Sequence, residues 1–318
     1  MFDISVVIAS YNPDYDKLFF TLKSIIVQRG INFEIVVSDD GSQNNYFEDI
    51  EKWFKNNTFC DYVLVRHENN MGTCINIYDG VKESNGRYVK TISPGDYLYD
   101  ETTLLEWYQF MEEKHSKISF GKVLNFHIDT YEGVVLDRVM QRPQVLKPYS
   151  SGNLRKIKNS YLLLNDIPDG AAFIAQKSVL LKYYKMIVNK VKYAEDYAMK
   201  LMVLDDIKID YYDRYVVWYE FGTGISTSKN EVWAKRLKQD YDEINLIIRK
   251  KGKCDVYSRK YIKLLLIQHN NKLFGKIVKY LLFPDVIKTL IIKKMIKKYT
   301  PIECDITELK KILSSYTI

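Results

Sequence analysis

The chain has 318 residues and a formal net charge of +7, and 47% of its residues are hydrophobic, which is ordinary for a globular protein with a sizeable core. The length favours one large domain, or one domain with an appendage. No apolar run approaches about 18 residues, and no basic segment followed by an apolar one begins the chain, so we expect neither a membrane span nor a secretory signal.

Some classes of site are disfavoured by what the chain lacks. The four cysteines are scattered without metal-type or redox spacing, so we expect packing roles in a reducing cytoplasm. The four histidines show no metal-type spacing either, and we expect structural roles for them. No GxGxxG, GxxxxGK[ST] or GxSxG motif is present, which argues against dinucleotide oxidoreductases, P-loop phosphotransferases and α/β-hydrolases.

The first 125 residues alternate strands with amphipathic helices, a pattern typical of a mostly parallel sheet covered by helices. The expected strands are Ile4–Ala9, Phe33–Val37, Tyr62–Val65 and Arg87–Ile92, and the expected helices surround Leu18–Ile26, Phe47–Phe54 and Cys74–Lys82. Three strands end in polar or acidic tips, at Ser10–Pro13, Ser38–Ser42 and Ser93–Asp96. Because such sheets bind ligands at the carboxyl ends of their strands, we expect the three tips to share one cleft.

The acids at these tips have two interpretations each. A carboxylate at Asp39 or Asp40 can accept hydrogen bonds from a base N–H and a ribose hydroxyl, or it can simply cap a turn. Asp96 can hold a divalent cation that bridges a diphosphate, because hard cations prefer oxygen ligands, or it can be a turn residue.

The pattern becomes irregular from Ile118 to Ile174. Strands are expected at Lys122–Ile128, Ala171–Ala175, Ile207–Tyr212 and Val216–Tyr219, and the chain reads as helices only from Val232. Arg142–Lys158 is rich in loop-forming residues, as mobile substrate-binding loops often are. We therefore expect a body of residues 1–230, with halves 1–125 and 126–230, followed by a helical extension of residues 231–318.

Glu195 and Asp196 begin a predicted helix that runs to about Leu204. Successive helical residues project about 100° apart, so the two acids are not expected to share one task. A helix N-terminus favours negative charge, which keeps a carboxylate ionised and ready to accept a proton. The alternative is that the pair only caps the helix.

From Ile4 to about Ser228 the chain resembles the family-2 glycosyltransferases, which have the GT-A fold, an α/β fold with a Rossmann-like, mostly parallel sheet. The resemblance rests on six motifs in order: Ser5–Asn12, Val37–Ser42, Asn70–Gly72 with Asn76, Gly86–Tyr88, Ser93–Asp96 and Glu195–Asp196. Each motif alone is weak, whereas six at family-like spacing are specific.

The resemblance implies a role for particular residues. Residues 1–125 would bind the nucleotide-sugar and residues 126–230 would hold the acceptor and the catalytic acids. The implied donor contacts are Ala9, Tyr11, Asn12, Asp39, Asp40, Asn76, Gly95 and Asp96. Asp196 would be the base that deprotonates the acceptor hydroxyl, and Glu195 would contact donor or acceptor. With a single base, the acceptor hydroxyl would attack the anomeric carbon from the face opposite the nucleoside diphosphate, so the product would have inverted configuration.

One motif departs from the family pattern. Most relatives carry Asp-x-Asp or Asp-Asp where this chain has Pro94, Gly95 and Asp96, so the first acid is lost. Either Asp96 holds Mn²⁺ or Mg²⁺ through the diphosphate and water, or basic side chains neutralise the leaving group. The late loop also lacks the histidine that often completes the metal site, and Glu220 is a candidate substitute.

The extension is strongly basic. Arg249 to Lys298 holds 15 Lys or Arg against two Asp, a charge of +13, which leaves −6 for the rest of the chain.

Two apolar helical faces with lysines beside them are expected in this extension. The first consists of Leu273, Phe274, Ile277, Val278, Leu281 and Leu282, beside Lys272, Lys276 and Lys279. The second consists of Ile287, Leu290, Ile291 and Met295, beside Lys288, Lys293, Lys294, Lys297 and Lys298. Basic amphipathic helices bind anionic lipid surfaces. Peripheral attachment to the cytoplasmic leaflet is the first hypothesis, and packing on the body or on a second subunit of a homo-oligomer is the alternative. No aromatic-studded basic sheet motif favours nucleic acid.

These features together predict an inverting glycosyltransferase that moves a hexosyl or N-acetylhexosaminyl group from a UDP-sugar to a glycan or lipid-linked acceptor. Capsule, O-antigen or another surface polysaccharide would be the product. The alternatives are a nucleotidyltransferase on a related sheet and a catalytically inactive module that binds sugar-nucleotide or membrane.

Overall fold

The computed structural model describes residues 1–137, 141–222, 224, 231–252, 255–296 and 304–314. Within these residues nine strands form one sheet: β1 Phe2–Ser10, β2 Phe33–Asp39, β3 Tyr62–Arg66, β4 Gly86–Ile92, β5 Asp96–Leu98, β6 Ile118–Asp129, β7 Gly133–Leu136, β8 Phe173–Gln176 and β9 Ile209–Glu220. Cys254, Lys297, Lys298 and the end of the resemblance at Ser228 lie outside the described residues.

The sheet is mixed, with strand order β3-β2-β1-β4-β8-β6-β9-β5 and β7 beside β6. β1 to β4 are parallel, which confirms the alternation predicted for the first half. β8 runs antiparallel to both β4 and β6, β9 is parallel to β6, and β5 is antiparallel to β9. Every residue of β2 is buried, as expected for a central parallel strand covered on both faces.

Helices cover the sheet and form the C-terminal region. They are α1 Tyr15–Ile26, α2 Phe47–Asn56, α3 Thr73–Glu83, α4 Thr103–Glu113, α5 Lys147–Ser150, α6 Leu154–Lys158, α7 Lys177–Ile187, α8 Ala198–Leu204, α9 Glu231–Arg249, α10 Val256–Asn270, α11 Lys272–Leu282, α12 Val286–Met295 and α13 Thr307–Leu313. A π-helical turn spans Asn159–Leu163, and 3₁₀ turns span Gly170–Ala172 and Glu195–Tyr197. None of the described helices has the length and apolarity that a bilayer crossing requires.

Three local predictions were wrong. β9 is one strand where two were expected, because the polar residues Asp213 and Arg214 fall at an irregularity in its pairing with β6 and do not end the strand. The predicted loop at 142–158 contains α5 and α6, whose apolar side chains Tyr149 and Ile157 are buried in the core. Cys60 is exposed, whereas Cys74 is buried as a packing residue.

Candidate active site

Asp39, at the end of β2, holds the turn that follows it. Its carboxylate accepts hydrogen bonds from the Ser42 N–H at 2.9 Å, from the Ser42 hydroxyl and from the Ser10 hydroxyl at 3.3 Å. The side chain is fully buried. Asp39 therefore joins the tips of β1 and β2, and a direct contact with a donor stays a prediction.

Asp40 fastens the loop that precedes α3. Its carboxylate accepts the N–H groups of Met71 at 2.7 Å and Gly72 at 2.8 Å, and His67 Nδ1 lies 3.4 Å away. Gly72 has a φ of +97°, and a Cβ there would come within 2.6 Å of the Lys192 carbonyl oxygen. Glycine is thus required where this loop meets the segment that leads to Glu195 and Asp196.

Asn76 and Asn12 also tie the strand ends together. The buried Asn76 amide donates to the carbonyls of Ser10 and Ser38 at 3.2 and 3.0 Å, and its Oδ1 accepts from the Ser38 hydroxyl at 2.6 Å. The Asn12 N–H donates to the Ser42 hydroxyl at 2.7 Å. Ala9 is partly buried on β1 beside Ser38, whereas the Tyr11 side chain is 52% exposed. Of these predicted donor contacts, Tyr11 is the large side chain that faces solvent.

Asp96 begins β5 and is buried together with a lysine. Lys90, fully buried on β4, donates from Nζ to the carbonyl oxygens of Thr91 and Ala171, the latter at 2.7 Å. Burial raises the pKa of the Asp96 carboxyl and lowers the pKa of the Lys90 amine, and the charge of each partner opposes the shift of the other. Lys90 therefore lies between the strand tip that carries Asp96 and the turn at Gly170–Ala172.

A second carboxylate lies at the same tip. Glu220 ends β9 and accepts from Lys17 Nζ at 2.7 Å, and its negative charge raises the pKa of Asp96 further. A Cβ at Gly95, where φ is +98°, would come within 3.1 Å of Glu220 Oε2. The sequence reasoning named Glu220 only as a substitute ligand, and it missed Lys17.

The two carboxylates can serve one divalent cation. Among the described residues, no group of three or more His, Cys, Asp or Glu side chains is close enough to hold a metal ion by itself. Mg²⁺ is usually bound through one or two carboxylates, with substrate phosphates and water completing its ligands. Asp96 and Glu220 fit that arrangement, because Asp96 pairs in register with Tyr219, the residue next to Glu220, and the Glu220 carboxylate lies beside Gly95.

Asp196 lies in the 3₁₀ turn before α8 and is partly buried. Its carboxylate packs against Gly170, where a Cβ would come within 3.4 Å of Oδ2. Burial raises the pKa of Asp196 to about 6, while hydrogen bonds from the backbone of Tyr197 and Asp196 lower it. Burial also raises the pKa of Glu195, with a further contribution from the charge of Asp196. At neutral pH Asp196 is therefore ionised, with the basicity that a proton acceptor needs.

Hydrogen bonds and packing contacts link the segments that carry Asp40, Asp96 and Asp196. The Cys74 N–H, just after the loop held by Asp40, donates to the Lys192 carbonyl at 3.0 Å. The Ala171 carbonyl accepts from Lys90, beside Asp96, and the adjoining Gly170 packs against Asp196. The structure thus brings the three tips and the Glu195–Asp196 turn to one edge of the sheet.

Asp240, on α9, orients the segment before Glu195 and was missed from the sequence. Its buried carboxylate accepts three backbone N–H groups, from Lys192 at 3.0 Å, Tyr193 at 2.8 Å and Ala194 at 3.0 Å. No short motif marks this residue, because Asp240 lies 46 to 48 positions after the N–H groups that it binds. Asp240 is a positioning residue for the acids that follow.

Asp240→Ala is expected to lower the free energy of unfolding by roughly 2–4 kcal/mol, because three buried N–H groups lose their acceptor. Urea denaturation of the full chain measures this loss. Asp242→Ala, at an exposed position of the same helix, is the matched control and is expected to be neutral. Equal stability of the two variants would show that Asp240 does not hold this segment.

Lys200 lies inside the site on α8. It is 4% exposed, its Nζ lies 3.5 Å from the centroid of the Tyr241 ring, and no hydrogen-bond partner for that Nζ is found in the described part of the chain. Burial lowers the pKa of Lys200 to about 7. The charges of Lys200 and Arg142 lower the pKa of Asp196. The sequence analysis missed Lys200, although a single lysine within the otherwise apolar α8 could have indicated it.

The rate of the reaction served by Asp196 is expected to fall about tenfold per pH unit below pH 6, since a carboxyl with a raised pKa becomes protonated there. Lys200→Met removes a positive charge that is present at that pH, so the pKa of Asp196 rises and the acid limb moves to higher pH. A pH profile of kcat/KM measures both effects. Lys185→Met, at an exposed position of α7, should leave the limb in place; a limb unmoved by Lys200→Met would contradict the coupling.

Comparison with known proteins identifies a matching family and several similar proteins. The model of the family described as Glycosyl transferase family 2 matches residues 5–181, more than half of the chain. The poly(ribitol-phosphate) beta-glucosyltransferase of Bacillus spizizenii is 32% identical over 122 residues, which is 38% of this chain and 19% of that protein. An uncharacterized glycosyltransferase of Rickettsia conorii is 27% identical over 48% of this chain and 26% of its own length. The chain thus spans about a fifth to a quarter of these curated relatives.

Solved structures share the fold. S. aureus TarS 1–349 in complex with UDP-GlcNAc superposes with a TM-score of 0.54 at 17% identity, covering 90% of this chain and 81% of that one. The mannosyltransferase PcManGT from Pyrobaculum calidifontis, in complex with GDP-Man and Mn²⁺, has a TM-score of 0.57 at 11% identity, covering 94% and 81%. These likenesses confirm the predicted fold, the mixed, mostly parallel GT-A sheet with a C-terminal helical region.

Proposed function

Since the chain belongs to glycosyl transferase family 2, we propose that it transfers a sugar from a UDP-linked donor to a hydroxyl of a glycan or lipid-linked acceptor, with inversion, in the synthesis of a cell-surface polysaccharide. The UDP-GlcNAc in S. aureus TarS supports the choice of nucleotide. The poly(ribitol-phosphate) acceptor named for the Bacillus spizizenii relative supports a surface polymer.

The donor would lie across the tips of β1, β2 and β5. The exposed ring of Tyr11 is available to stack on the base, and Asp40 with Asn76 keeps the loops that border it in place. Asp96 and Glu220 would hold a divalent cation beside the diphosphate. A cation there would supply positive charge for the departing nucleoside diphosphate, and the Lys17 ammonium, bound to Glu220, adds positive charge at the same tip.

Asp196 would act on the acceptor. A sugar hydroxyl becomes an effective nucleophile once a positioned base takes its proton. The proton moves to the Asp196 carboxylate while the hydroxyl oxygen bonds to the anomeric carbon and the bond to the diphosphate oxygen breaks. The observation that carries this proposal is the place of the Asp196 carboxylate, whose pKa is about 6. Asp196 packs against Gly170, next to the Ala171 carbonyl that accepts from Lys90, and the segment before it is joined to the start of α3 by the hydrogen bond from Cys74 to Lys192.

A donor panel tests the function. UDP-, GDP- and dTDP-sugars, and in separate reactions nucleoside triphosphates, are incubated with the full chain, with and without Mn²⁺, and the released nucleotide or pyrophosphate is measured. Release of UDP from one UDP-sugar is expected. Release of pyrophosphate from a nucleoside triphosphate would indicate a nucleotidyltransferase instead, and binding of a donor without any release would indicate an inactive module.

A further inference from the structure

The outer faces of α11 and α12 carry large apolar side chains that the described residues leave 41–77% exposed. We call the following residues the apolar ridge: Leu273, Phe274, Ile277 and Leu281 on α11, with Ile287, Ile291 and Met295 on α12. The exposed fractions of Leu273, Leu281 and Met295 are 72%, 75% and 77%. On α11, residues 273, 277 and 281 follow at intervals of four and therefore share one helical face.

The opposite faces of the same helices are already packed on the body. Val278, Phe283 and Val286 are buried in the main core. The turn between the helices is fixed by Asp285, which accepts from Arg155 at 2.7 and 3.1 Å and from Asn159 at 2.8 Å. The prediction that these helices pack on the body is therefore correct for one face of each helix. The sequence analysis grouped Val278 with the exposed face of α11, whereas Val278 lies on the buried face.

Two of the predicted flanking lysines also point inward. Lys279 Nζ donates to the Leu163 carbonyl at 3.2 Å, and Lys293 Nζ lies 3.0 Å from Asp166 Oδ1. Lys272 and Lys276 on α11 and Lys288 and Lys294 on α12 remain exposed. The helices that carry the apolar ridge are thus held on the body by their inner faces, and four exposed lysines border the apolar ridge.

The charge of this region is almost entirely positive. Residues 256–296 contain nine Lys or Arg and a single acid, Asp285, which is already paired with Arg155. Within residues 256–296, all of which the structure describes, no unpaired acidic side chain is therefore available to meet a basic partner. A surface that presents many negative charges and accepts aliphatic side chains is the complementary partner.

We propose that the apolar ridge docks the protein on an anionic lipid bilayer, with the aliphatic side chains at the acyl boundary and the four lysines at the headgroups. Helices with this distribution lie in the membrane interface and bind more strongly to anionic lipids. Lysine stems extend along apolar surface while the ammonium stays in the polar layer. The proposal concerns attachment and is independent of the chemistry at Asp196.

Other occupants fit less well. Protein interfaces are depleted of lysine and enriched in aromatic side chains and arginine, whereas this surface has four lysines and one phenylalanine. Single-stranded nucleic acid would require aromatic side chains on which bases can stack, and the apolar ridge is otherwise aliphatic or Met. A second copy of the chain would bring the same positive charges together.

Vesicle flotation of the full chain tests the proposal. The vesicles are phosphatidylcholine alone, or phosphatidylcholine with about a third phosphatidylglycerol. The wild-type protein is expected to float with the anionic vesicles and to remain largely unbound with the neutral ones. Ile277→Glu with Leu281→Glu should weaken binding to anionic vesicles by about tenfold or more, because charge replaces inserted apolar surface.

Variants of the four exposed lysines test the electrostatic part of binding, and a control variant tests its specificity. Lys272→Gln, Lys276→Gln, Lys288→Gln and Lys294→Gln should each weaken binding about fivefold. Met186→Glu, at an exposed apolar position of α7, is the matched control and should bind like wild type. Thermal unfolding verifies that every variant is folded. Wild-type protein that stays unbound with anionic vesicles would overturn the proposal, as would binding unchanged in the Ile277→Glu, Leu281→Glu variant. A dimer in light scattering that dissociates in this variant, with no vesicle binding, would assign the apolar ridge to a second copy instead.

Discussion

Asp196→Asn is expected to reduce sugar transfer by about 10²–10⁴-fold, the usual contribution of a positioned general base. The amide keeps the size of the side chain and its place against Gly170, but it cannot take a proton from the acceptor. Donor affinity should stay close to that of wild type, since the proposed donor contacts lie at the ends of β1 and β2, on α3 and at the start of β5. Initial rates with saturating donor, together with calorimetric titration of UDP, measure the two quantities separately.

Asp206→Asn is the matched control for this variant. Asp206 is exposed just beyond the other end of α8. Its partner Lys158 also pairs with Asp255 at 3.3 Å, so the lysine stays paired and the replacement should leave the rate near wild type. Near-normal turnover by Asp196→Asn would contradict the assignment of the base. Glu195, whose pKa burial raises, would then be the next acid to replace.

Asp96→Asn is expected to reduce transfer by about 10²-fold or more and to weaken the binding of Mn²⁺ in the presence of UDP. The change removes one of two carboxylates at this strand tip and leaves the buried ammonium of Lys90 without its opposite charge. Removing one partner of a buried charge pair is strongly destabilising, so the unfolding free energy must be measured beside the rate. Mn²⁺ binding is followed by paramagnetic resonance, which reports the ion directly.

Two further variants make this result interpretable. Glu220→Gln removes the other carboxylate without touching Lys90, and it should also weaken Mn²⁺ binding. Asp213→Asn, on the same strand β9 but 75% exposed, should leave Mn²⁺ binding unchanged. If both Asp96→Asn and Glu220→Gln bound the ion as wild type does, the cation site would have to lie elsewhere.

The strand tips were predictable because apolar runs that end abruptly in polar residues mark the carboxyl ends of buried strands. β1, β2 and β4 follow this rule, so the edge that carries Asp40 and Asp96 was predicted from local sequence alone. The hydrogen-bond partners of the motif residues were less predictable. Asp39 accepts from the nearby Ser42 N–H and from the Ser10 hydroxyl, and Asn76 donates to the carbonyl oxygens at the ends of β1 and β2. The contacts that join different strands depend on partners distant in the sequence, which a local motif does not report.

The residues missed from the sequence are those whose partners are distant. Asp240 reaches three backbone N–H groups more than 45 residues earlier, and Lys17 reaches Glu220 across 203 residues. Periodicity does not report such contacts. In α11 and α12 periodicity predicted apolar faces, but it grouped the buried Val278 with exposed residues, because apolar residues on more than one side of a helix leave open which face is buried.

A crystal structure of the protein with UDP and Mn²⁺ would locate the nucleotide, the ion and the Asp196 side chain together. We expect the base beside Tyr11 and Asp40, the ion within about 2.5 Å of an Asp96 or Glu220 oxygen, and the Asp196 carboxylate on the side of the diphosphate from which the acceptor would approach. A nucleotide bound away from this edge of the sheet, or an Asp196 side chain turned away from it, would contradict the claim that one cleft serves all three acids.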